Sequence, residues 1–95
     1  MPPQLALIVD DEPDIRELLE LTLARMGIET HSAADVSEAT SLLDKQHFDL
    51  CLTDMRLPDG DGIDLVRYIQ QSSPSTPTAV ITAHGNMQAA RLVCG

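Results

Sequence analysis

The stretch Leu5-Ala6-Leu7-Ile8-Val9-Asp10-Asp11-Glu12-Pro13 decides the fold. Its first half is a short, unbroken apolar run, the pattern of a strand buried on both faces of a parallel sheet. The run stops at two aspartates. Pro13 then suits the first turn of a helix, where a missing N–H costs nothing. Beyond it Ile15, Leu18, Leu19, Leu23 and Met26 recur at helical spacing, with Arg16, Glu17 and Glu20 on the other side. Gly27 ends that helix as a C′ residue.

The same alternation continues outward from this unit. Ile28–Ser32 reads as a second, shorter strand. Asp35 with Glu38 three residues later has the form of a capping box, and Val36, Ala39, Leu42 and Leu43 give the helix it opens an apolar face. Phe48–Thr53 is a third strand, followed by a turn-rich loop, Met55–Asp61. Ile63, Val66 and Ile69 mark a third helix, and Ser72–Pro77 is a polar, proline-punctuated loop. Thr78–Thr82 is a fourth strand, and Asn86 opens a short fourth helix reaching Val93. Strands alternating with helices imply parallel pairing, right-handed crossovers and helices on both faces.

Composition bounds the function. A chain of 95 residues makes one domain, taken as residues 1–95. With 43% apolar and 22% charged residues it has the balance of a globular protein rather than a disordered one. No apolar run approaches the ~20 residues that span a bilayer, which argues against a membrane role. No leader pattern stands at Met1, and Cys51 and Cys94 form no disulfide framework, so the expected compartment is the cytoplasm. Fifteen acidic residues against six basic ones give a net charge of −9. Such a surface repels a polyanion, and direct nucleic-acid contact from this segment is not expected. Tyr68 and Phe48 are the only aromatics, too few for base stacking.

In an open parallel sheet, function collects beyond the carboxyl ends of the strands. Asp10 and Asp11 follow the first strand, Asp54 ends the third, and Thr82 ends the fourth. Converging carboxylates repel: two unit charges ~4 Å apart cost about 4 kcal/mol at an effective dielectric near 20. Such a cluster raises a pKa or recruits a cation. All-oxygen ligands with open positions suit Mg2+, which shares its shell with phosphate. A carboxylate beside it is a candidate nucleophile for an aspartyl-phosphate, and Thr82 a hydrogen-bond donor to a phosphoryl oxygen.

Three motifs now stand in order: Val9-Asp10-Asp11-Glu12, Leu52-Thr53-Asp54-Met55-Arg56-Leu57-Pro58-Asp59-Gly60-Asp61-Gly62, and Val80-Ile81-Thr82-Ala83. Together they resemble the receiver domain of bacterial two-component response regulators, over residues 5 to about 90. The wording is similar to receivers at the front of enhancer-binding transcription activators. The resemblance implies an α/β, flavodoxin-like doubly wound parallel sheet of order 2-1-3-4, with the fifth strand and helix missing. It implies that Asp54 is the phosphoacceptor, that Thr82 is the switch hydroxyl, and that Asp10, Asp11, Asp54 and the Arg56 backbone carbonyl bind magnesium. Pro58 and Gly62 match the family's loop positions. The implied partner is a sensor histidine kinase. The implied role is signal reception and transcription control through another domain, not an enzyme with an external product.

The family's lysine, which follows a fifth strand, has no counterpart. Lys45 ends the second helix, and Arg91 falls in the expected fourth. Slow phosphotransfer is the expectation. A missing strand–helix unit leaves Thr78–Thr82 as an open edge, which invites homodimerisation or swapping. Two other functions compete: a phosphorylation-independent interaction module, and a magnesium-dependent aspartyl-phosphate phosphatase. The latter wants a general acid two residues after its nucleophile, where Arg56 stands. A calcium loop starting at Asp59 fails, because Ile63 and Gln70 fall at ligand positions. His31, His47 and His84 share no metal spacing and read as surface residues. Cys51, Met26 and Met87 read as core, and Glu17 and Glu20 as a solvated face.

Overall fold

The computed structural model describes residues 4–81 and 91–93. Strand β1 (Leu5–Val9) lies between β2 (Glu29–Ala33) and β3 (Leu50–Asp54), and β3 pairs in turn with β6 (Thr78–Ile81). All these pairings are parallel, with Val9 opposite Ala33 and Thr53, and Asp54 opposite Ile81. The parallel order is thus the expected 2-1-3-4. Helices α1 (Pro13–Arg25), α2 (Val36–Lys45) and α3 (Gly62–Ser72) connect the strands. The loop after β3 carries a ribbon, β4 (Arg56–Leu57) antiparallel to β5 (Gly60–Asp61), turning at Pro58-Asp59.

β1 is buried because its alternate residues feed two cores. Leu7 and Val9 join Phe48, Leu43, Leu57, Leu65 and Ile69 under α2 and α3. Ala6 and Ile8 join Leu23 under α1, with Leu19, Ile28, Leu50 and Leu52 packed alongside. Full burial of such side chains contributes roughly 1.5–3 kcal/mol each. Cys51 belongs to the first core and is fully buried, as expected, and that burial pushes its thiol up to about 12.

Helix boundaries follow their signals. Pro13 opens α1, and Gly27 ends it with a φ of 79°, a left-handed conformation that favours glycine. Asp35 caps α2 by accepting from the Glu38 N–H at 2.8 Å. Glu38 reaches back to the Ala34 N–H at 2.8 Å, one residue beyond the usual box partner.

Three readings change. Arg91–Val93 is not helical: it forms β7, antiparallel to β6, with Val80 opposite Arg91 and Thr78 opposite Val93. A strand edge offers unpaired N–H and C=O groups, and this segment satisfies them. The open edge behind the dimer expectation is therefore covered by the chain's own β7, and Arg91 sits in a strand. Met26 is 67% exposed rather than core, because it has left the helical phase at the α1 C-cap. In α3 the buried side chains are Leu65, Val66 and Ile69, while Ile63 is exposed in the first turn. Thr82, His84, Asn86, Met87 and Cys94 lie outside the described residues.

Candidate functional site

Asp10 and Asp11 continue directly from β1, and Asp54 is the last residue of β3. Because β1 and β3 are hydrogen-bonded neighbours running the same way, their ends bring these carboxylates to one rim. Each of the three offers an oxygen, and these oxygens all lie within 4.8 Å of one another. The spatial convergence that the sequence pattern requires is present.

The three are not equivalent. Asp10 is buried, Asp54 half-buried and Asp11 exposed. The Asp10 N–H extends the sheet to the Ala33 carbonyl at 3.1 Å, and its carboxylate accepts from the Glu12 N–H at 2.8 Å. Burial is the main reason the Asp10 carboxyl is held above its ordinary range. The Glu12 hydrogen bond opposes that shift, while the charges of Asp54, Asp11 and Glu12 add to it. Asp54 Oδ1 accepts from the Met55 N–H at 2.8 Å, which fixes the carboxylate plane. Behind it, the buried Thr53 hydroxyl donates to the Asp54 carbonyl at 3.0 Å.

The donor set fits a hard divalent cation. Two oxygens bound to one Mg2+ at about 2.1 Å stand no more than about 4.2 Å apart. A cluster within 4.8 Å is therefore close to binding geometry and needs only small side-chain rotations. Arg56 follows Asp54 by one intervening residue, and its side chain is exposed.

Three further residues shape this rim. Arg16, placed by the sequence on the side of the first helix away from its apolar residues, sends Nη1 to the Asp10 carbonyl at 2.6 Å. Gly62 approaches Asp54 so closely that an added Cβ would stand 2.2 Å from the Asp54 carbonyl oxygen. Its N–H donates to the Met55 carbonyl at 2.7 Å, tying the start of α3 to the residue after the acid. Asp59, read as a turn residue, accepts from the Val36 N–H at 2.8 Å and the Ser37 N–H at 3.0 Å. Only Gly62 had a signal in the sequence, its place in the loop motif.

The model of the response regulator receiver domain matches residues 6–94. The chain belongs to this family. Among its relatives, the response regulator protein PilR of Pseudomonas aeruginosa is 66% identical over 90 residues, which are 95% of this chain and 20% of PilR. The DNA-binding transcriptional regulator NtrC of Proteus hauseri is 32% identical, over 87% of this chain and 18% of NtrC. The receiver domain thus spans about one fifth of the length of the curated relatives it matches. The response regulator TrrA of Thermotoga maritima, solved in complex with Mg2+-BeF, superposes with a TM-score of 0.81 at 30% identity. That match covers 86% of this chain and 71% of TrrA. The fold is therefore that of a two-component receiver, and its relatives include transcription regulators. Among the described residues, no helix is long and apolar enough to cross a membrane.

Proposed function

We propose that this receiver domain accepts a phosphoryl group on Asp54 from the phosphohistidine of a sensor histidine kinase. The observation that carries the reading is the meeting of Asp10, Asp11 and Asp54 at the ends of neighbouring strands. Met55 holds Asp54 Oδ1, which leaves the other carboxylate oxygen to attack phosphorus. An O–P bond forms as the N–P bond of the phosphohistidine breaks, and the histidine leaves as the neutral side chain after protonation. Asp10, Asp11, Asp54 and the Arg56 backbone carbonyl would hold Mg2+, which would supply charge compensation to the phosphoryl oxygens. Thr82, outside the described residues, is assigned the hydroxyl that binds the new phosphoryl group. The domain assists only its own phosphorylation and hydrolysis and releases no product of its own beyond phosphate. Its output is regulation of transcription through another part of a longer protein, as the names of its relatives suggest.

The test is incubation with acetyl phosphate and Mg2+, followed by intact-mass measurement of the native chain and of Asp54→Asn. The expected result is one phosphoryl group on the native chain, none on Asp54→Asn, and none without Mg2+. Absence of labelling on the native chain would favour a phosphorylation-independent interaction module. Sustained phosphate release from many donors would favour a phosphatase.

A further inference from the structure

Helix α2 begins with two carboxylates at its N-terminus, from different parts of the chain. Asp35 is local and takes the Glu38 N–H. Asp59 comes from the turn between β4 and β5 and takes the Val36 and Ser37 N–H groups, one on each oxygen. The three helix-start donors Val36, Ser37 and Glu38, which have no partner within the helix, are thereby all satisfied by side chains. The hydrogen bonds draw the Asp59 carboxyl below its ordinary range, first that from Val36 and then that from Ser37, so it meets them as an anion.

This contact is not confined to one side chain. Next to Asp59, the Gly60 backbone packs so tightly on α2 that an added Cβ would stand 3.3 Å from Val36 Cγ2. Gly60 pairs with Leu57, which is buried in the core shared by α2 and α3. Asp61 pairs with Arg56, and Gly62 grips the backbone at Asp54 and Met55. A short, rigid path therefore runs from the start of α2, through Asp59 and the ribbon, to Arg56 and the end of β3.

We infer that Asp59 is a positioning residue for the metal site. It clasps the ribbon to α2 and so sets where Arg56 presents its backbone carbonyl relative to Asp10, Asp11 and Asp54. This rests on the reading of those residues as a Mg2+ site. Asp59 itself touches neither metal nor phosphoryl group. Its removal acts through the ribbon, in the way that a lost supporting contact loosens a ligand.

Two caps on one helix provide the test. Asp59→Ala and Asp35→Ala each remove carboxylate hydrogen bonds from the start of α2, but only the first frees the ribbon. Mg2+ affinity is measured by calorimetry on the full chain, beside thermal unfolding without the metal. The expected result is a roughly 10-fold weaker Mg2+ affinity in Asp59→Ala. Asp35→Ala keeps the native affinity despite a comparable loss of thermal stability. Asp59→Asn, which keeps one carbonyl acceptor, falls between native and Asp59→Ala, and keeps the comparison available if the alanine variant does not fold. Equal affinities in native, Asp59→Asn and Asp35→Ala, or equal losses in the Asp59 and Asp35 variants, would overturn the inference. A native chain with no saturable Mg2+ binding would overturn the reading of the metal site and the inference with it.

Discussion

The carboxylates at the starts of α2 and α3 and those at the ends of β1 and β3 are one chemical group put to opposite uses. Asp35, Asp59 and Asp64 accept backbone N–H groups at helix starts, where the partial positive charge of the helix end favours an anion. Asp10 and Asp54 also take one N–H each, yet they crowd each other and Asp11 within 4.8 Å. The first set stabilises the chain as it stands. The second set opposes folding through burial and mutual repulsion. What separates the two is not residue type or charge but whether the neighbouring strand end delivers another carboxylate.

The contrast is broken most severely at Gly62, which joins the two regions. Gly62→Ala drives a methyl group into the Asp54 carbonyl, and backbone cannot step aside as a flexible side chain would. It is expected to cost about 1–3 kcal/mol in urea unfolding and to weaken Mg2+ binding at the same time. A neutral effect on both would mean that α3 can retreat from β3 without consequence.

A smaller change, of opposite sign, is expected at Asp10. Its carboxyl is held high in the folded protein, so ionisation opposes folding and stability falls as pH rises from its ordinary value of 3.8 through the raised one. Asp10→Asn keeps an acceptor for the Glu12 N–H and removes the charge. In metal-free buffer at neutral pH it should gain about 1 kcal/mol. It should also lack the Mg2+-dependent rise in melting temperature that linkage predicts for the native chain. A destabilised metal-free variant would place Asp10 with the helix-capping set instead.

The finest test is the pH dependence of the Asp59 clasp. Its pKa is lowered, so its contribution is complete above the ordinary aspartate value of 3.8 and is lost as pH falls through the lowered one. Amide resonances of Val36 and Ser37 should report that loss together, without that of Glu38, which Asp59 does not hold. Simultaneous movement of all three would show that α2 melts as a unit rather than unclasping.

Much of the molecule is legible in sequence because its local signals agree with each other. Leu5–Val9 followed by Asp10, Asp11 and Pro13 places a strand, a rim and a helix start in nine residues, and all three are found. Asp54 follows from the same rule applied to β3. Helical spacing was less decisive about which residues face inward. Leu19 and Leu23, four apart, form the packed stripe of α1, while Leu18 lies beside it and is 60% exposed. In α3 the first turn sits at the rim with Ile63 outside the core, and Leu65 takes the inward place instead. β7 was illegible because Arg91–Val93 is too short for a period, and only the edge of β6 gives it a reason to extend. The Asp59 clasp was hidden for a different reason: its partners lie 22 and 23 residues away, and Asp35 already supplied the expected local cap.

The grip of Arg16 on the Asp10 carbonyl has its own consequence. It sets a fixed cation next to an anionic pocket without spending that cation on any of the three carboxylates. The guanidinium thus secures the main chain from which Asp11 projects, yet forms no ion pair with the three carboxylates, two of whose oxygens are held instead by the Glu12 and Met55 N–H groups. A lysine there would carry the same charge on a stem without arginine's planar, preorganised donor group, so the arginine keeps the rim in shape without itself filling it.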